Sequence, residues 1–167
     1  MSRCCVNGPS TSRAAGYTLI ELVVALLVSS ILLAAAIPKY TDALLQYRVD
    51  AAAKRIAADI DFTQRQAIAK SASQSMIFTP SGGSPGTPNT YSMPTIQYVD
   101  RAATGAVVDL TQHPYQATLL SADFGGTTTL TFDRYGALTS GGTIVIGVGA
   151  AQKTITVNGD TGRVANP

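Results

Sequence analysis

Glu21 is the residue whose surroundings most need a chemical explanation. It stands at the head of a run, Leu22 to Ile37, in which every residue is apolar except Ser29 and Ser30 and none is charged. A carboxylate carried into hydrocarbon costs at least about 2–3 kcal/mol unless a cation meets it. Other residues with reactive chemistry are sparse. Cys4 and Cys5 are the only cysteines, adjacent and without zinc-site spacing, and His113, followed by Pro114, is the single histidine. Neither a Cys–His pair nor a His-rich metal site can be built from them. Asp133 and Asp160 stand in turn signals, and Asp123 stands two residues before Gly125-Gly126. Turn formation is the plain reading of these three and calcium ligation the sharper one. Gly82-Gly83 and Gly141-Gly142 lack the following Gly-Lys-Ser/Thr of a phosphate cradle. No enzyme activity, metal or cofactor is expected.

The elements that position Glu21 follow from composition. Met1 to Gly16 is polar, with Gly, Pro, Ser and two arginines, and has no helical or strand period. Leu22 to Ile37 at 1.5 Å per residue gives roughly 24 Å, a little short of a hydrocarbon core of about 30 Å. Counting from Tyr17 lengthens the segment enough to span, with Glu21 inside it. Pro38 interrupts the run, yet the helical pattern resumes. Leu45, Val49, Ala52, Ile56, Ile60, Thr63 and Ala67 recur at three or four residues, on one face. Asp50 with Lys54, and Asp61 with Arg65, are opposite charges at i,i+4 on another face. One long helix is predicted, kinked at Pro38, apolar all round in its first half and amphipathic in its second.

After Ser73 the chain turns to Thr, Gly, Pro and β-branched residues. Strands are predicted at Met76–Thr79, Tyr91–Met93, Ile96–Val99 and Ala106–Leu110, around Leu130 and Phe132, from Ile144 to Val148, and around Ile155 and Val157. Asp133-Arg134-Tyr135-Gly136 and Asn158-Gly159-Asp160-Thr161-Gly162 are turn signals. Short strands joined by turns predict an antiparallel sheet laid on the apolar stripe of the helix, an α+β fold. No internal repeat is visible.

Charge narrows the partners. The chain holds 12 Lys+Arg and 10 Asp+Glu. Arg3 and Arg13 precede Gly16, so 12 − 2 leaves 10 against 10 from Tyr17 onward. From Ser75 onward Arg101, Arg134, Lys153 and Arg163 face Asp100, Asp109, Asp123, Asp133 and Asp160. Such a balance is a poor trap for nucleic acid. An ordinary secretory signal has some support, from Arg3, Arg13 and the A-x-A-like Ala34-Ala35-Ala36. Glu21 at the head of the apolar run opposes it, and a cut there would discard half a helix.

Gly16-Tyr17-Thr18-Leu19-Ile20-Glu21-Leu22, directly ahead of the apolar run, resembles the type III signal of prepilins and pseudopilins. That resemblance implies cleavage between Gly16 and Tyr17 by a prepilin peptidase, with 1–16 a removed leader. It also implies N-methylation of the Tyr17 amine, filament assembly through Glu21, and a helix-kinking proline, here Pro38. A methylated amine stays charged. Glu21 can then meet the Tyr17 ammonium of a neighbouring subunit, a buried pair that fixes register. The expected parts are a transmembrane and filament-core helix at 17–38, its amphipathic continuation at 39–73, and a periplasmic head at 74–167.

The stretch Ala58 to Ile68, Phe132-Asp133-Arg134-Tyr135-Gly136 and the closing Gly162-Arg163-Val164 resemble the minor pseudopilins of the H type in type II secretion and the T and U type minor pilins. The implied function is a minor structural subunit of a periplasmic pseudopilus. The alternative is a minor pilin of a type IV pilus, including those linked to DNA uptake. Expected partners are other pilin-like subunits, the peptidase, an inner-membrane assembly platform, and membrane lipid before assembly, with no nucleic acid. The expected location is the bacterial inner membrane, single-pass, with the head in the periplasm.

Overall fold

The computed structural model describes residues 16–82, 89–96 and 105–165, apart from the side chains of 35–38. Helix α1 runs Leu19–Lys70. It is followed by β1 (Gln74–Thr79), β2 (Thr90–Met93), β3 (Ala106–Asp109), β4 (Thr118–Asp123), β5 (Thr129–Phe132), β6 (Gly142–Val148), β7 (Ala151–Val157) and β8 (Val164–Ala165). The chain divides into two compact units, Met1–Lys39 and Tyr40–Pro167. The kink expected at Pro38 falls on a residue whose side chain lies outside those described.

In the first unit the helix exposes apolar side chains on every side. Leu22, Val24, Leu26, Leu27, Val28, Ile31, Leu32 and Leu33 are all more than half exposed. Leaving each in water forgoes about 1.5–3 kcal/mol of burial. The segment is long and apolar enough to cross a membrane. Its two hydroxyls are satisfied within the helix: Ser29 Oγ donates to the Ala25 carbonyl and Ser30 Oγ to the Leu27 carbonyl, both at 2.8 Å. In a membrane, each hydroxyl without such a bond would be an unpaired polar group.

In the second unit the predicted stripe is the buried face: Val49, Ala52, Ile56, Ile60, Thr63 and Ala67 are covered, and Leu45 packs at the margin. The covering layer is two four-stranded sheets where a single sheet was expected, ordered β3-β2-β1-β5 and β4-β6-β7-β8. All the strand pairs are antiparallel. Register places core residues opposite one another, as in Met76↔Leu130, Phe78↔Tyr91, Leu119↔Ile146 and Ile144↔Ile155. Cross-strand pairs of this kind are the unit of sheet stability. The sheets join where the Ser81 N–H donates to the Leu119 carbonyl, and the Phe78 and Phe124 rings sit 5.5 Å apart.

Strand β4 was not among the predicted strands. Its register shifts between Leu119 and Ser121, so the inward residues Leu119 and Ala122 are three apart. A β-bulge breaks the period of two by which a strand is recognised. Of the strand predicted at Ile96–Val99, Ile96 is buried but lies outside any strand, and 97–99 are outside the described residues.

Charged groups tie the helix to the sheets. Asp50, paired with Lys54 by its spacing, instead accepts a 2.7 Å hydrogen bond from Lys153 Nζ on β7. That bond and the lysine's charge hold the Asp50 carboxyl below its usual range. Asp61 and Arg65 pair as expected, in the open. Asp59, almost fully buried, accepts from Arg55 Nε at 3.0 Å and from the Tyr91 hydroxyl of β2. Burial, and then the Asp59 charge, push the Tyr91 hydroxyl's pKa far up, so it stays a donor.

Because the second half of α1 is covered on its apolar face within its own unit, a chain beginning near Thr41 is expected to be soluble and to unfold cooperatively on heating. Aggregation, or no thermal transition, would contradict that.

Candidate functional site

The residues singled out at the N-terminus fall within six consecutive positions, Gly16 to Glu21, apart from Pro38. Gly16, Tyr17 and Thr18 precede the helix, and Glu21 is the acid of its first turn. Gly16 stands in open space: a Cβ there would meet nothing within 4 Å. Tyr17 is 83% exposed, so the Gly16–Tyr17 bond is presented on an accessible segment. Pro38 lies within α1.

Thr18 sets where the helix starts. Its Oγ1 accepts from the Glu21 N–H at 3.3 Å, and its carbonyl accepts from the Leu22 N–H at 3.2 Å. It is the N-cap, and Thr18-Leu19-Ile20-Glu21 has the form of a capping box. The sequence reading missed this role, although the T-x-x-E spacing carries it. The cap also gives Glu21 a local function, since an acid in the first turn offsets the helix dipole. What remains distinctive is a carboxylate fixed one turn from the bond at Gly16, at the foot of an apolar helix.

The two other elements singled out in the sequence meet at the far end of α1. Asp133 Oδ1 accepts from the Tyr135 and Ala137 N–H groups, and Asn158 Oδ1 from those of Asp160 and Thr161. Gly136 and Gly162 close these turns at φ +80° and +67°. Gln64 of α1 joins the turns, its Nε2 donating to the Gly136 carbonyl at 2.9 Å and the Thr161 carbonyl at 3.1 Å. A Cβ on Gly162 would lie 2.6 Å from Gln64 Nε2, and one on Gly136 would lie 2.8 Å from Ile68 Cδ1. Glycine is therefore required at both places by backbone conformation and by the close approach of α1.

Asp133 and Asp123 are turn formers, the latter accepting from the Gly126 N–H at 2.8 Å. Asp160 sits in the Asn158 turn. Among the described residues no three of His, Cys, Asp and Glu gather as a metal site would need. His113 lies in the loop between β3 and β4. Cys4 and Cys5 are outside the described residues.

A capped apolar helix carrying one acid at its foot, continued by an amphipathic half under two antiparallel sheets, is the design of a membrane-anchored pilin-like subunit. The family model for the prokaryotic N-terminal methylation motif matches residues 11–37. The model for the type II transport protein GspH matches residues 52–161, more than half of the chain, and the chain belongs to that family. Comparison with curated proteins and with solved structures finds no match. The family is one of structural pseudopilin subunits. It implies assembly with other pilin-like subunits and processing by a prepilin peptidase.

Proposed function

We propose that the chain is a minor structural subunit of a periplasmic pseudopilus that helps drive protein export by type II secretion. The observation that carries this reading is one helix with two surfaces. Its first part, capped by Thr18 with Glu21 in its first turn, is apolar all round beyond that acid, and its second part is sealed under a head of the GspH family. On this reading residues 1–16 stay in the cytosol, held by Arg3 and Arg13, and are removed after Gly16. The Tyr17 amine is methylated and keeps its charge. Residues 17–38, bent at Pro38, rest in inner-membrane lipid until the assembly platform draws them into the filament core. There Glu21 meets the Tyr17 ammonium of a neighbour. Residues 39–73 carry the periplasmic head, 74–167. Deleting the chain should stop export of secreted proteins and leave DNA uptake intact; export that continues without it would refute the assignment.

One observation favours the second reading, a minor pilin of a type IV pilus that handles DNA. Gln64 draws the turn of Arg134 and the turn preceding Arg163 to the same end of α1. Arg163 also borders a cleft of about 570 Å³ with Asp61 and Arg65. Against this, Arg65 is already paired with Asp61, and Gly162-Arg163-Val164-Ala165 lacks the further Arg that DNA-binding relatives carry after the closing Gly-Arg. Useful non-specific binding needs several phosphate contacts. The expected result is no binding when fluorescent duplex is titrated with the head at about 50 mM salt. Micromolar binding that weakens with salt and vanishes in Arg163→Ala would favour DNA uptake.

A further inference from the structure

Strand β5 forms one edge of its sheet, and threonines line its open side. The Phe78 N–H donates to the Thr128 carbonyl, so the backbone of Thr128, Leu130 and Phe132 faces β1 and that of Thr129 and Thr131 faces away. The chain returns along that open side, where the Thr139 N–H donates to the Thr131 carbonyl at 3.2 Å. It then meets the turn between β4 and β5: a Cβ on Gly125 would lie 2.7 Å from Ser140 Oγ. These two contacts bound a cleft of about 410 Å³, a size common among small-ligand sites. Its base is Phe124, buried, with its ring 5.5 Å from that of Phe78. A Cβ on Gly142 would lie 2.6 Å from Phe124 Cδ1. Base and walls are therefore held in place by the fold itself.

The hydroxyls of Thr127, Thr129, Thr131, Thr139 and Ser140 line the cleft, and none of the described lining residues is charged. Two of these hydroxyls are already committed as donors. Thr127 Oγ1 donates to the Phe124 carbonyl and Ser140 Oγ to the Gly141 carbonyl, both at 3.1 Å, and each can still accept. The hydroxyls of Thr129, Thr131 and Thr139 make no hydrogen bond among the described residues, so each can donate and accept. We propose that this cleft is a binding site for an uncharged saccharide. An apolar ligand would leave the hydroxyls buried and unpaired. A charged ligand would find no opposite charge among the lining residues. An extended peptide needs a continuous strand edge, and the contacts at Thr139 and Ser140 close this one. A sugar ring carries several hydroxyls, each both donor and acceptor, and C–H faces that can rest against Phe124. The site lies in the head, away from Glu21 and the apolar helix, and holds whichever filament the chain serves.

The test uses the full chain in zwitterionic micelles, because a sugar-headed detergent would compete for the cleft. Binding is read by saturation-transfer NMR with maltotetraose, cellotetraose and chitotetraose, and with tetragalacturonate as the charged counterpart. At least one neutral tetrasaccharide is expected to bind with a millimolar Kd, and tetragalacturonate is not. Chitotetraose carries N-acetylated sugars, as a cell wall does, and the other two carry the plain hexoses of an extracellular glycan. Binding of either kind supports the site, and the preference names the source. Thr131→Val and Thr139→Val keep the side-chain shape, lose the hydroxyl, and should each weaken binding about tenfold. Their thermal unfolding should match that of the parent chain, because neither hydroxyl has a partner among the described residues. Thr128→Val, at an exposed position outside the cleft, should bind as the parent does. No binding of any neutral probe, equal binding of tetragalacturonate, or undiminished binding by both cleft variants would overturn the proposal.

Discussion

Glu21→Ala is expected to insert into the membrane as well as the parent chain, or better, and to disappear from the filament. Insertion gains because a carboxylate in hydrocarbon is unfavourable, about 2.5–3.5 kcal/mol at the centre of a spanning helix on insertion scales and less near its end, where Glu21 stands. On the proposed pairing, assembly loses because the Tyr17 ammonium of the neighbour is left buried without a partner, a change that costs about 3–5 kcal/mol. Crosslinking to partner subunits should then fall by about a hundredfold or more, at 1.4 kcal/mol for each factor of ten. The Thr18 cap supplies the control. Gln at the third helical position still completes a capping box but carries no charge. Glu21→Gln should therefore restore the helix start and still fail to assemble. Normal incorporation of the Gln variant would mean that the cap, and not the charge, is what Glu21 contributes.

The second large effect lies in the head. Asp59→Ala removes the acceptor shared by Arg55 and the Tyr91 hydroxyl, and takes from that buried hydroxyl the carboxylate to which it donates. Removing one member of a buried charged pair costs about 3–5 kcal/mol. The Arg55 side chain is 38% exposed and can turn to water, so about 3 kcal/mol is expected here. In a head of this size that lowers the melting temperature by about 10 °C. Tyr91→Phe, which removes only the hydroxyl, should cost about 1–2 kcal/mol. Near-equal stability of Asp59→Ala and the parent chain would show that the cluster contributes nothing.

What could be read from the sequence follows what is local in it. The Gly16 to Glu21 motif, the apolar run and the stripe from Leu45 to Ala67 depend on residues within a turn or two of each other, and spacing reveals them. The Thr18 cap was equally local and was overlooked, as was the Arg55–Asp59 pair at i,i+4. Lys153 is 103 residues from the Asp50 it holds, and Tyr91 is 32 from Asp59. No periodicity carries such information. The division into two sheets depends on pairings such as Gln74↔Phe132, which turn signals do not specify. β4 was hidden by its own bulge. The Phe–Asp–x–x–Gly and Gly–Arg–Val elements were visible as turn signals and as a resemblance. Their physical basis, two left-handed glycines packed against Gln64 and Ile68, needs the fold.

The most direct test of the central claim is the intact mass of the protein extracted from membranes of cells containing a prepilin peptidase. A pilin-like subunit processed after Gly16 gives a chain that starts at Tyr17 and carries one added methyl group. Position 17 is exposed beside a glycine in open space, and the helix start at Thr18 leaves that bond outside the hydrogen-bonded turns. The same cells without the peptidase should give the chain from Met1. A mature chain starting near Ile37 would mean that an ordinary secretory signal had been cut, and that the apolar helix never reaches a filament.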